Sequence, residues 1–434
     1  MLVSWSPMTA VTLTGVGGKH QHRKRISSDP EPSFFSPPVA NSYVPAYTTR
    51  RSVLSLIAGA TVTGTASAAQ RAKERRVDAT TQSASVDRVA SDEYDAVSLV
   101  TDVSASGDRV LFGFENGDLV SYGANRQATP IPFDVGSTLS HIEFERAADT
   151  AAVAWMDAEV YGQLTLATRD GPVIEHPGLW DLAVAAADGA IASVSSPIEG
   201  PGSVMLSTEA GQSWVVDVEN AAGGSVDISA AGKFIAVGAT QYLGTGEALA
   251  GQPGVVLYDG SGAQQWAHET GVDVIAVQID AEAERVVAGT YDGRLLALDL
   301  AGNLVWEDEL LVTWPRISSD GSTVVSTGSD GVVRAYDPVT GDERWTTETG
   351  ASLGNDTSVT DDGTRVLAAA RTEGEIFVVE ESGVVWERAY GIGPAIGEIA
   401  ADGRTWSVGI QNSDAQTGRV EIYRQSESVA PETL

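Results

Sequence analysis

The chain has 434 residues, no cysteine, and 59 acidic against 27 basic residues, a formal net charge of −32. The length suits one large domain or two to three ordinary ones. Without thiols there are no disulfides, thiolate metal sites or cysteine nucleophiles, and the carboxylate excess argues against nucleic acid or anionic membranes as partners, because phosphate binding needs Lys and Arg.

The charge is uneven. Residues 1–51 hold six of the basic residues (Lys19, Arg23, Lys24, Arg25, Arg50, Arg51) and two of the acidic ones (Asp29, Glu31), which leaves −36 on the remainder. Only four lysines occur, and only Lys73 and Lys233 lie beyond residue 51. A globular protein this acidic and this poor in Lys resembles those of salt-loving archaea, where a Debye length of about 3 Å at molar salt screens carboxylate repulsion.

Residues 1–47 are polar, Pro-rich and aperiodic, and read as a disordered or mis-annotated extension, with translation starting nearer Val44. Residues 48–68, "TTRRSVLSLIAGATVTGTASA", place Arg50 and Arg51 before a short apolar run and then the small-residue pattern Ala66-Ser67-Ala68. This is the pattern of a twin-arginine export signal cleaved after Ala68. The run is too short to span a bilayer, which needs about 20 residues. The mature chain is therefore expected to be secreted or held at the extracellular surface without a membrane span. Residues 69–91 read as a polar linker, and 427–434 as a disordered tail.

Between them the chain repeats itself. A small turn followed by a β-rich run recurs eight times, from "SGDRVLFG" at Ser106 to "DGRTWSVG" at Asp402. The second turn residues are 107, 149, 189, 232, 283, 321, 363 and 403, so the period is near 42 with one long gap of 51. Each unit resolves into four short alternating runs, as in "WPRISSD", "STVVSTG", "GVVRAYDP" and "DERWTTET" of the sixth. Such runs between turn signals predict antiparallel strands, with second hairpins turning at Gly117, Gly293, Gly331, Gly374 and Gly418. No sustained 3.6-residue period occurs, so almost no helix is expected. A Trp preceded by a turn Gly opens the fourth run of five units: Trp214, Trp266, Trp306, Trp345 and Trp386. Repeated once per sheet, these indoles are expected to dock neighbouring sheets, each burying on the order of 150–250 Å².

Four-stranded sheets at this period predict an all-β fold, an eight-bladed β-propeller of four-stranded antiparallel blades over residues 92–426, with seven blades as the alternative. Ring closure needs a fourth strand for the last unit, whose tail is a poor strand, and Glu93–Leu99 ("EYDAVSL") is expected to supply it.

"DGRLLALDLAGNLVW" and "DGVVRAYDPVTGDERW" resemble the repeats of pyrroloquinoline-quinone (PQQ)-type propellers, which include quinoprotein alcohol dehydrogenases and outer-membrane assembly lipoproteins; the WD40 repeat is a looser match. The resemblance implies ligands at the channel mouth, where loops join second to third strands and last strands to the next blade. The long gap maps to one such loop, 239–254, with Gln241, Tyr242 and Glu247 as candidate ligand-binding residues. The other candidates lie at blade crossings: His176, Asp181, Trp314, Arg316, Asp356 and Glu398, besides His141, Trp180, Asp227, His268, Asp273 and Asn355.

No metalloprotease, nucleophile-elbow or phosphate-loop motif occurs, and no catalytic or metal-binding residue is assigned. The expectation is an exported, monomeric, non-catalytic scaffold without a cofactor, binding a protein or polysaccharide partner at the cell surface. The alternative is a PQQ-dependent dehydrogenase of sugars or alcohols with bound Ca²⁺. The adjacent-cysteine disulfide usual in those enzymes cannot form here.

Overall fold

The computed structural model describes residues 85–426, except for 132–137, 145–150, 157–162, 168–172, 175, 177–178, 186–189, 197–200, 209–210, 219–221, 241–250, 281–284, 312, 355–356, 392, 394 and 413. The chain divides into Met1–Pro45 and Ala46–Leu434, and every described residue belongs to the second unit.

The expected eightfold repetition is what the described residues form: eight antiparallel sheets of four strands each. Blade 1 is β2 to β5 (Ser98–Val103, Val110–Phe114, Leu119–Tyr122, Ala128–Ile131), and blade 2 is β6 to β9 (Thr138–Phe144, Ala151–Met156, Gln163–Ala167, Val173–Ile174). Blade 3 is β10 to β13 (Leu179–Val184, Ile191–Ser195, Ser203–Thr208, Gly211–Asp217), and blade 4 is β14 to β17 (Ala222–Ile228, Phe234–Thr240, Gly254–Asp259, Gln264–Glu269). Blade 5 is β18 to β21 (Val274–Asp280, Arg285–Thr290, Arg294–Asp299, Leu304–Glu309), and blade 6 is β22 to β25 (Thr313–Ile317, Val324–Gly328, Val332–Tyr336, Glu343–Glu348). Blade 7 is β26 to β29 (Thr357–Val359, Val366–Ala370, Glu375–Glu380, Gly383–Ala389). Blade 8 joins β30, β31 and β32 (Ala395–Ile399, Thr405–Asn412, Thr417–Gln425) to β1 (Val86–Tyr94). A single 3₁₀ turn, Arg371–Glu373, is the one helical element among the described residues. Each inner strand packs against the inner strand of the next blade, and β30 against β2, so the ring is closed.

Middle strands such as Val110–Phe114 and Val324–Gly328 are buried throughout, whereas outer strands such as Leu304–Glu309 alternate exposed and half-buried residues. The core therefore lies between blades, where each sheet covers its neighbour. Three of the repeated Trp bond to the next blade. Trp214, Trp266 and Trp306 each donate the indole N–H to a carbonyl in the last turn of the next blade, Gly260, Leu300 and Pro338, at 2.9, 2.9 and 3.0 Å. The turn glycine of that next blade lies against the ring: a Cβ at Gly302 (φ +82°) would sit 2.8 Å from Trp266, and one at Gly341 (φ +76°) 2.6 Å from Trp306. The Gly of each motif thus turns its own blade and seats the Trp of the blade before it. Trp386 has no such turn to meet, because blade 8 takes its outer strand from elsewhere. It packs instead on Trp406 and Tyr423, with ring centroids 5.2 and 4.8 Å away.

Closure uses the amino-terminal segment, as expected, but a different stretch of it. Glu93 and Tyr94 end β1, while Ser98 and Leu99 already open β2, and the closing strand starts at Val86, inside the segment read as linker. The strand was hidden because outer strands in this fold bury only every second residue, and "VDRVASDEY" reads as polar. A bulge between Arg88 and Ala90 then turns its two halves toward opposite neighbours. Val86 and Arg88 face blade 7, while Ala90, Asp92 and Tyr94 face blade 1. On the blade 1 side, Tyr122 donates to Asp92 at 2.6 Å, and the Tyr94 and Tyr122 hydroxyls lie 2.8 Å apart. Gly418 is not a turn residue; it lies in β32 opposite Tyr94, and Gln416 (φ 52°) makes the turn.

On the blade 7 side, Arg88 donates to the fully buried Glu421 at 2.7 Å, and Tyr423 donates to the other oxygen of the same carboxylate. Burial alone would raise the Glu421 pKa. The Tyr423 hydroxyl, the Arg88 bond and the charges of Arg388 and Arg419 outweigh it and hold the group below the usual carboxylate range.

Candidate functional site

The eight inner strands surround a central cavity of about 320 Å³, and every blade contributes to its wall. An inner strand is an edge strand. It pairs with its own blade on one side and leaves a row of backbone N–H groups on the other. One position meets that problem at most of the junctions, the residue before the apolar end of each inner strand: Asp102, Glu143, Ala183, Asp227, Gln278, Arg316, Ser358 and Glu398.

Asp102 accepts the N–H of Phe144 in blade 2 at 2.7 Å and that of its own neighbour Val103 at 2.7 Å. Glu143 accepts from Val184 of blade 3 at 3.1 Å. Blade 3 has Ala183 at this position, and Asp181, two residues earlier, takes over by accepting from Val226 at 3.2 Å. Asp227 accepts from Ile279 of blade 5 at 2.8 Å and from Ile228 at 2.9 Å. Arg316 reverses the polarity and donates to the Thr357 carbonyl of blade 7 at 3.0 Å. The Ser358 hydroxyl accepts from Ile399 of blade 8 at 3.2 Å. These side chains staple six of the eight junctions. A charge-assisted hydrogen bond of this kind contributes roughly 1.5–3 kcal/mol.

The arrangement concentrates negative charge. Burial raises the Glu143 pKa well above the ordinary carboxylate range, and Asp227, Asp102 and Asp181 push it further, against the opposing Val184 N–H. His141 faces Asp181 at 3.5 Å. Trp314, 4% exposed, lines the same wall against Ile275 and Ala276, and its indole N–H has no hydrogen-bond partner among the described residues. Among the described residues, no three His, Asp or Glu converge closely enough to hold a metal ion.

Of the residues singled out from sequence, Asp181, Trp314, Arg316 and Glu398 line the channel, together with His141 and Asp227. His176 does not. It is 3% exposed inside blade 3, bonded through Nδ1 to Ser193 at 2.8 Å and through Nε2 to Ser203 at 2.9 Å. Burial lowers its pKa to about 4, so it is a neutral packing residue at pH 7. His268 lies on the outer strand β17. Gln241, Tyr242, Glu247, Asn355 and Asp356 fall outside the described residues, as does the side chain of Trp180. Sequence reasoning missed Asp102, Glu143 and Ser358. A signal for them exists, since seven of the eight units place a polar residue immediately before the last apolar residue of the first run (Asp102-Val103, Glu143-Phe144, Asp227-Ile228, Gln278-Ile279, Arg316-Ile317, Ser358-Val359, Glu398-Ile399).

The inner strands start at one end of the channel and finish at the other. The loops from second to third strands, and from each blade to the next, gather at the starting end. There the β15–β16 connection, 241–253, is 13 residues long, against three or four in blades 1, 5, 6, 7 and 8. In the next blade, blade 5, Tyr291 and Leu311 are 43% and 56% exposed, on loops tied by the Leu310 N–H to Gly293 carbonyl bond of 2.8 Å.

No protein-family model and no curated protein matches the sequence. Solved structures do match in shape. The β-propeller domain of Cps50 (Swd1) from Myceliophteria thermophila is similar at a TM-score of 0.51 and 12% identity, over 79% of this chain and 100% of that one. The computationally designed Ika8 protein is similar at a TM-score of 0.58 and 13% identity, over 77% of this chain and 98% of that one. At these identities the likeness is one of fold, and no described helix is long and apolar enough to cross a membrane. The chain is an eight-bladed β-propeller with an acid-stapled channel and one long connection, 241–253, between β15 and β16.

Proposed function

We propose that this protein is an exported, non-catalytic scaffold that holds a protein or polysaccharide partner on its loop face. One observation carries the reading. The channel side chains that look reactive are engaged between blades by backbone groups, while on the entry face β15 and β16 are joined by the 13-residue connection 241–253 and the next blade exposes Tyr291 and Leu311. Long connections in compact repeats are often functional, and exposed apolar side chains suit a partner surface. The paired arginines and apolar run of residues 48–68 support export, and the −32 net charge supports a working environment of molar salt. PQQ-type repeats suggest the family relationship, and the expectation is a monomer without a cofactor.

The test replaces 242–249 by a short Gly-Ser link and compares capture of surface proteins and polysaccharides, at molar salt, by the two chains. Loss of one specific partner with an unchanged melting curve supports the scaffold. Dye reduction with glucose or short alcohols after adding PQQ and Ca²⁺ would overturn it in favour of a dehydrogenase. Mass spectrometry of the native amino terminus tests export: a chain starting at Ala69 is expected, and peptides from residues 1–40 would contradict it.

A further inference from the structure

The seam between blades 7 and 8 carries a charge surplus of the sign that is rare in this chain. Three arginines converge on the Glu421 carboxylate: Arg88 at 2.7 Å, Arg419 at 3.3 Å and Arg388 at 3.8 Å. The carboxylate is fully buried and satisfied, since one oxygen accepts from Arg88 and the other from Tyr423. Even counting Glu93, which pairs with Arg419 across β1 and β32, two negative charges face three positive ones, a local excess of one on a chain of net −32.

Two of the three guanidiniums remain available. Among the described residues neither Arg388 nor Arg419 donates a hydrogen bond, and the buried Arg419 Nε finds no acceptor although a Glu421 oxygen lies 3.3 Å away. Their side chains are 40% and 30% exposed, so their remaining donors can be reached from solvent. Both are held over the Tyr390 ring, at 5.6 and 5.8 Å from its centroid, and Arg388 is also 5.6 Å from the ring of Tyr423. Stacking on aromatic faces fixes the planes of the two forks and lowers the entropy of engaging a ligand. Guanidinium forks match tetrahedral oxyanions geometrically and bond them with charge assistance.

We propose that this arginine cluster between blades 7 and 8 binds a small tetrahedral oxyanion, sulfate or phosphate, either free or as a single ester on an otherwise neutral sugar. A polyanion fits poorly, because beyond the arginines it meets the acidic remainder of the surface. The site lies at the loop-face end of the seam, since Tyr390 belongs to the connection between blades 7 and 8 and Arg419 follows the β31–β32 turn, but it uses no residue of the 241–253 connection and does not depend on that loop's function.

The experiment compares melting of the full chain in sodium sulfate, sodium phosphate, a monosaccharide phosphate and sodium chloride, at matched ionic strength, for the parent and for an Arg388→Gln/Arg419→Gln variant that leaves the Arg88–Glu421 pair intact. A ligand at a hundredfold excess over its Kd should raise the parent Tm by roughly 3–4 °C above chloride. The double variant should lose that increment, and calorimetry should show Kd weakened at least tenfold. Equal shifts in parent and variant would reveal only the general exclusion effect of such salts and overturn the site, as would no shift at all. If the double variant does not melt cooperatively, Arg388→Lys and Arg419→Lys replace it, keeping the charge but losing the fork, with the same tenfold weakening expected and an unchanged Kd overturning the proposal. Response to both the free ion and the sugar ester identifies the ion as the ligand, and response to the ester alone identifies the sugar.

Discussion

Glu143 and Glu421 sit in comparable places, each at an interface between blades, yet their environments drive them in opposite directions. Glu143 looks into a channel shared with Asp102, Asp181 and Asp227, and burial and repulsion raise its pKa. Glu421 is more deeply enclosed, and Tyr423, Arg88, Arg388 and Arg419 lower it. Burial disfavours the charged form at both sites, and the neighbours decide the outcome. The channel tolerates uncompensated acid because open backbone N–H groups need acceptors there. The seam needs a compensated one because it joins two ends of the chain.

The largest effect should come from cutting the seam. Deleting residues 86–94 removes the outer strand of blade 8 and its contacts to blades 1 and 7. Cooperative unfolding by calorimetry and the near-ultraviolet dichroism should both be lost; a deletion chain that melts like its parent would refute the closure. Next, Glu421→Ala leaves three arginines facing one another and should cost about 3–5 kcal/mol in denaturant unfolding. The Glu421 contribution is present above its unfolded pKa near 4.5 and is lost as pH falls through its depressed folded value.

His176 adds to the same acid limb by a different route. Its folded pKa of about 4 lies below the unfolded 6.5, so the unfolded chain binds the extra proton between those values and stability rises with pH across that window. The span corresponds to roughly 2–4 kcal/mol, and His176→Gln should flatten that part of the stability profile. The smallest effect has the opposite sign. Glu143 has a raised folded pKa, so its contribution is greatest below the unfolded 4.5 and declines as pH rises toward the folded value. Glu143→Gln keeps an oxygen for the Val184 N–H while removing the charge, and should stabilise the protein by about 1 kcal/mol at neutral pH, more at low salt. A destabilised variant would show that the staple needs its charge.

How much of this could be read beforehand follows from periodicity. Middle strands such as Val366–Ala370 are buried on both faces and announce themselves as apolar runs. The Gly-Trp motif was visible because its two members serve adjacent blades at fixed spacing. The strand β1 was not legible: its few buried residues are split between two neighbours by a bulge, which breaks the alternation a reader looks for. The channel acids were only partly legible. An acidic residue before an apolar one is common in a chain with 59 of them, and only alignment of the eight first runs singles out the position. His176 illustrates the converse, since a loop-like crossing residue can point inward and find two serines.

The pairing of first and last strands also fixes how the molecule is mounted. Val86 lies opposite Gln425, and the backbone N–H of Ser426 bonds the Ser85 carbonyl at 2.9 Å, so the chain enters and leaves the ring at one spot. That spot is at the end where the inner strands finish, away from the 241–253 connection. An attachment at either terminus would therefore act as a stalk, turning the opposite end of the channel, where β15 finishes and β16 starts, toward the surroundings.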